Sequence, residues 1–170
     1  MAHDEDWRKI RDLEPAVIAA PVTGATPDDM FRAAEDSFPH DRVYLKSWLP
    51  LNWFPSNPAS GNDCWGYVSP SGREYALMGL STGLSVVEVT DPSNPVHVAF
   101  IDGNDSLWRD VKVIGEYAYS VSEGGNGVQV IDLRGVDSGS VVHVRDDRNS
   151  GHSTTHNIVA NPDSGYLYLV

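Results

Sequence analysis

Cysteine, basic residues and catalytic signatures are all scarce in this chain of 170 residues. Its single cysteine, Cys64, excludes an intrachain disulfide. A mostly apolar stretch around Cys64 predicts a buried structural thiol. Lys and Arg together number 12 against 24 Asp and Glu, a net charge of −12. Such a surface repels phosphate backbones and anionic headgroups, which argues against nucleic-acid and membrane-surface partners. Its simplest role is to keep the protein soluble. No apolar run reaches transmembrane length. The opening Met1-Ala-His-Asp-Glu-Asp-Trp7 is acidic and has no secretory apolar core, so the chain is either cytoplasmic or lacks its leader. GxSxG, phosphate-loop, CxxC and HExxH patterns are missing. Glu123-Gly-Gly-Asn-Gly127 is glycine-rich but lies between two strand patterns, so it reads as a hairpin loop and not a nucleotide site.

What the chain does have is a repeat. The first copy reads Asp63-Cys-Trp-Gly-Tyr67, Glu74-Tyr-Ala-Leu77, Gly83-Leu-Ser-Val-Val-Glu-Val89 and Asp91-Pro-Ser-Asn-Pro95. The second reads Trp108-Arg-Asp-Val-Lys-Val113, Glu116-Tyr-Ala-Tyr119 and Gly127-Val-Gln-Val-Ile-Asp-Leu133. A third begins at Thr155-His-Asn-Ile-Val159 and Gly165-Tyr-Leu-Tyr168. Tyr75 and Tyr117 are 42 residues apart, and Tyr117 and Tyr166 are 49 apart. A period in the forties built from short strands predicts β-propeller blades. The expected fold is all-β: a propeller fragment of about two and a half four-stranded blades, over 62–102, 107–146 and 154–170. Two and a half blades do not close a ring, so the chain is expected to continue beyond Val170 or to need other chains.

Residues 1–42 carry no repeat and are expected to form an irregular, partly helical N-terminal extension. Asp6–Leu13 predicts a short helix, and Pro15–Pro21 an extended linker. Pro27–Glu35 predicts a better helix, capped by Thr26, with Pro27 at its first position and Asp28 and Asp29 on the positive end of its dipole. Val43-Tyr-Leu-Lys-Ser-Trp-Leu49 alternates as a strand and is expected to act as a lone outer strand for ring closure.

The Gly83–Pro95 stretch resembles the LVIVD-type propeller repeat, whose Val-rich strand ends in Asp-Pro-x-Asn-Pro. The wider chain resembles the choice-of-anchor B family of bacterial surface and secreted proteins. The matching residues are His3–Asp12, Trp48–Leu51, Asn62–Gly66, Gly72–Leu77, Ser106–Lys112, Val121–Gly125 and Thr155–Asn157. The resemblance implies an extracellular or cell-surface propeller held by a C-terminal anchor, and it implies no catalytic activity. Against the family pattern, neither a leader before His3 nor an anchor after the repeats is expected in these 170 residues, a departure at both ends.

First strands of blades face a central channel, and aligning them superposes Trp65, Asp110 and Asn157. Asp63, Trp65, Trp108, Arg109, Asp110, His156 and Asn157 are therefore expected at one end of that channel. One reading is a ligand pocket for a protein or carbohydrate, with aromatic faces for contact and charged or amide groups for orientation. The other is structural, with these Trp and Asp residues bracing adjacent blades. Arg109 and Asp110 are neighbours on a strand, so they point to opposite faces and at most one looks into the channel. His152 and His156 are four apart in a loop, a polar feature lacking the third ligand of a metal site. Asp102-Gly-Asn-Asp105 and Asp146-Asp147 offer oxygens to calcium without forming a complete loop, so no metal or other cofactor is expected, with calcium as the alternative. The function expected from these features is a non-enzymatic binding or scaffold propeller. The alternative is a hydrolase or lyase around Asp110 and His156.

Overall fold

The computed structural model describes residues 45–148 and 151–170. The helices expected at 6–13 and 27–35, and residues 43–44 of the expected outer strand, lie outside them. Leu45–Leu49 forms no strand. Over these residues, alternation without a paired neighbour was not sufficient for a ladder.

The described chain from Pro50 is all-β. Strands β1 (Gly61–Val68), β2 (Glu74–Leu80), β3 (Gly83–Glu88) and β4 (Val96–Asp102) form one antiparallel sheet in sequence order. Strands β5 (Arg109–Ile114), β6 (Tyr117–Ser122), β7 (Val128–Gly135) and β8 (Ser140–Asp147) form a second, and β9 (Ile158–Asn161) pairs with β10 (Tyr166–Leu169) in a third. Each neighbour pair is antiparallel because a short turn returns the chain directly. In the two-residue link from β5 to β6, Gly115 sits at φ 61°, a left-handed conformation that glycine adopts without steric cost. The longer β3–β4 link is held by Asp91. Its carboxylate accepts from the Ser93 backbone N–H at 3.0 Å and the Asn94 amide at 2.7 Å. These bonds hold the Asp91 carboxyl below its usual range, the Asn94 amide contributing most.

The sheets pack side by side through their first strands, with β5 between β1 and β9, while β4 lies near β8. The core between the first two sheets is made by Tyr75, Leu77, Leu84 and Val86 from one side and Val111, Ala118, Ile131 and Leu133 from the other. Gly79 is a point of close approach between them. A Cβ there would lie 2.9 Å from the Arg109 carbonyl oxygen and 3.1 Å from that of Asp63.

Polar ties reinforce this interface at both ends. Arg109, only 2% exposed, donates to the Leu80 carbonyl at 3.0 Å, the Gln129 side-chain oxygen at 3.1 Å and the Asn104 carbonyl at 2.7 Å. Gln129 in turn donates to the Asp102 carbonyl at 2.9 Å. At the other end the Tyr75 hydroxyl donates to Asp137 at 2.7 Å, and Arg73 donates to the Asp137 carbonyl at 2.6 Å.

Candidate functional site

Strand register fixes which first-strand residues correspond. Asp110 pairs with Val121 and Lys112 with Tyr119 on β6. On β1, Trp65 pairs with Leu77 and Cys64 with Met78, after a bulge between Gly61 and Cys64. Tyr75 pairs with Tyr67 and Tyr117 with Ile114, so Trp65 corresponds to Lys112, and Asp63 corresponds to Asp110. On β9, Ile158 pairs with Leu169, which makes Asn157 the third member. The repeated position is thus Asp63, Asp110 and Asn157. This corrects the superposition of Trp65 on Asp110: the turn from β1 to β2 (69–73) is longer than the two-residue link from β5 to β6, a difference that counting back from the tyrosine does not resolve.

The carboxylate at this position stitches strands together. Asp110 accepts from the Val111 N–H at 2.6 Å through Oδ1 and from the Ile158 N–H of β9 at 2.8 Å through Oδ2. Asp63 accepts from the Cys64 N–H at 2.7 Å. Between the two carboxyls sits the Lys112 ammonium, in contact with Asp110 and 3.3 Å from Asp63. The same ammonium lies 4.7 Å from the centre of the Trp65 ring, a cation–π contact. Burial pushes the Asp110 carboxyl up, and the neighbouring Asp63 carboxylate adds to the rise. Asp63 is drawn down, chiefly by its hydrogen bond with Asp110. Lys112 is a member of this group that the sequence reading missed. The signal was available, since residues two apart on a strand share a face.

Trp108, His156 and Glu123 form a second group. The rings of Trp108 and His156 lie 5.2 Å apart and tilted by 49°. His156 Nδ1 is 2.6 Å from Glu123 Oε1. All three side chains are solvent-exposed. Beside them opens a cleft of about 380 Å³ lined by Glu123, His152, Thr154, Thr155, His156, Leu169 and Val170. Glu123 is the second member the sequence reading missed. It was read only as part of a hairpin, and its neighbourhood depends on how β9 packs beside β5.

The seven expected residues therefore distribute between different settings. Asp63, Trp65 and Asp110 belong to the lysine-centred group, Trp108 and His156 to the exposed one. Arg109 is buried in the interface between the first two sheets. Asn157 makes reciprocal backbone hydrogen bonds with Val170 at 3.1 and 2.9 Å. Arg109 and Asp110 are both buried, Arg109 bonding Leu80 and Gln129 and Asp110 bonding Ile158 of β9. Cys64 is exposed, against the expectation of burial. Its alternation partners Trp65 and Tyr67 are on the other side of the pleat, and of these only Tyr67 is buried.

His152 and His156 both line the cleft. Asp146 bonds His143 at 2.8 Å, and Asp147 bonds Arg145 at 3.1 Å. Among the described residues no three His, Cys, Asp or Glu side chains are grouped to hold a metal. No helix among them is long and apolar enough to cross a membrane. In comparisons with known proteins, no family model, no curated protein and no solved structure matches the chain.

Proposed function

We propose that this chain is a binding or scaffold module of the β-propeller type, working at the bacterial cell surface or after secretion, and not an enzyme. The observation that carries the binding role is the exposed Trp108–His156–Glu123 group beside an open cleft. An aromatic face next to a few oriented polar groups is the usual composition of a recognition site. Surface location and propeller architecture rest on the resemblance of the repeat to LVIVD-type blades. The side-by-side packing of first strands β1, β5 and β9 supports the same architecture.

The competing reading, a hydrolase or lyase around Asp110 and His156, is less well supported. Both Asp110 oxygens are engaged by backbone N–H groups and Lys112. His156 is oriented by Glu123. A general base needs reach to a substrate proton, and Asp110 is committed elsewhere.

The test is a binding screen of the full-length protein against surface proteins and oligosaccharides, paired with hydrolysis assays on chromogenic esters and glycosides. The reading expects a saturable ligand whose binding is lost in His156→Ala at unchanged thermal midpoint. Turnover that disappears in both Asp110→Asn and His156→Ala would establish the enzyme instead.

A further inference from the structure

Resting on the Trp108–His156–Glu123 corner as a binding site, we infer that its ligand is a neutral saccharide presented as a pyranose ring. Of the residues lining the cleft, Glu123, His152, Thr154, Thr155 and His156 end in hydrogen-bonding groups, and only Leu169 and Val170 are apolar. One Glu123 oxygen is taken by His156 Nδ1, which leaves the second oxygen as an acceptor at the cleft. With Nδ1 held by Glu123, Nε2 is the ring nitrogen left to hydrogen-bond a ligand. A site this rich in hydrogen-bonding groups is matched by a ligand rich in hydroxyls.

The aromatic component points the same way. Trp108 is 42% exposed, and His156 contacts it at an angle, so the indole is only partly covered. An uncovered indole face packs well against the C–H-bearing face of a sugar ring, while the ring's hydroxyls turn to the polar groups at its edge. The cleft volume of about 380 Å³ falls in the range of small-molecule sites, about 300–1,000 Å³.

Other ligand classes fit less well. An anion meets the Glu123 carboxylate and a net charge of −12. A peptide needs apolar side-chain pockets, and two aliphatic residues provide little of that.

The experiment is calorimetric and tryptophan-fluorescence titration of the full-length protein with neutral cello-, malto-, manno-, galacto- and chito-oligosaccharides. At least one series should bind saturably. Trp108→Ala should weaken that binding tenfold or more, Trp108→Phe should restore most of it, and Glu123→Gln should weaken it severalfold. Trp65→Ala, in the other group, should bind as the parent does. All variants should keep the parent thermal midpoint, because both altered side chains at the site are exposed. If no series binds, or if binding survives Trp108→Ala, the saccharide inference is overturned. Binding of a peptide array in a Trp108-dependent way, with no saccharide bound, would overturn it while leaving the corner a binding site. Failure of both ligand classes at Trp108 would remove the binding site as well.

Discussion

Asp110 shows how a residue that looks like a site on paper is used as a joint. Its two oxygens satisfy the Val111 and Ile158 N–H groups, and its charge is met by Lys112. Removing the carboxylate strands a buried N–H, at a cost of about 1–3 kcal/mol. Asp110→Ala should therefore lower the thermal midpoint by several degrees while leaving the Trp108 corner's ligand affinity unchanged, measured by thermal unfolding and titration on the same sample. Tyr67 presents the opposite case. It is buried, and its hydroxyl has no hydrogen-bond partner among the described residues. Burial also pushes its ionisation up. Tyr67→Phe removes the unpaired hydroxyl and keeps the ring contact with Tyr75 at 6.2 Å. It should raise stability by about 1 kcal/mol in chemical denaturation. Tyr75 gives the pH dependence. Burial first, and then its bond to Asp137, raise its ionisation to about 12, against about 10 in an unfolded chain. A raised folded-state value means that this stabilisation is complete below pH 10 and is lost as pH climbs from 10 to 12. Ultraviolet titration of the folded protein should show a late tyrosine, and Asp137→Asn should bring it earlier.

At the scale of elements, close approach of β5 to β2 depends on Gly79. The atoms a Cβ would meet there are backbone carbonyl oxygens, which cannot rotate away as a side-chain end would. Gly79→Ala should force the first two sheets apart locally and cost about 1–3 kcal/mol. It should also loosen Arg109 at the same junction, read as faster hydrogen exchange of the Arg109 backbone N–H, which bonds Asn62 Oδ1. Much of the strand pattern was legible beforehand. The Val-rich Gly83–Val89 run becomes the buried inner strand β3, and the Tyr-Ala pairs at 75–76 and 117–118 lie in the first residues of β2 and β6. The turn residues between them, including Asp91 and Gly115, signalled where strands end. The β1 bulge was not legible, because an extra residue in one strand is defined only against its partner. The strand expected over 43–49 did not form in Leu45–Leu49, since periodicity records the tendency to pair but not the presence of a neighbour.

Across the whole molecule, apolar residues are left exposed on the third sheet and along β8. Tyr166, Tyr168, Val159 and Val170, with Val142 and Val144, are all about half exposed or more. Among the described residues β10 pairs only with β9, and its outer edge has no strand beside it. An exposed, apolar strand edge is a template for association. The 170-residue chain by itself should bind a hydrophobic dye and form concentration-dependent oligomers in light scattering. Tyr168→Lys should reduce both without changing the fold of the first two sheets. A dye-negative monomer would show that this surface is harmless in solution.

Sequence by itself determined the class of fold and the location of most strands, because alternation, Val-rich runs and turn chemistry are local properties written along the chain. It also determined the residue types available to a site: Trp108, Asp110, His156 and their neighbours. Tertiary structure decided what each of them does. Asp110 and Arg109 are drawn inward because adjacent sheets leave backbone groups that only they reach. Lys112 and Glu123 join the two groups because β5 stands between β1 and β9. Trp108 and His156 stay in solvent because no element of the described chain covers them. Partners brought from 33 to 49 residues away, as in the Glu123–His156 and Asp63–Lys112 pairs, follow from sheet packing, and no local pattern encodes them.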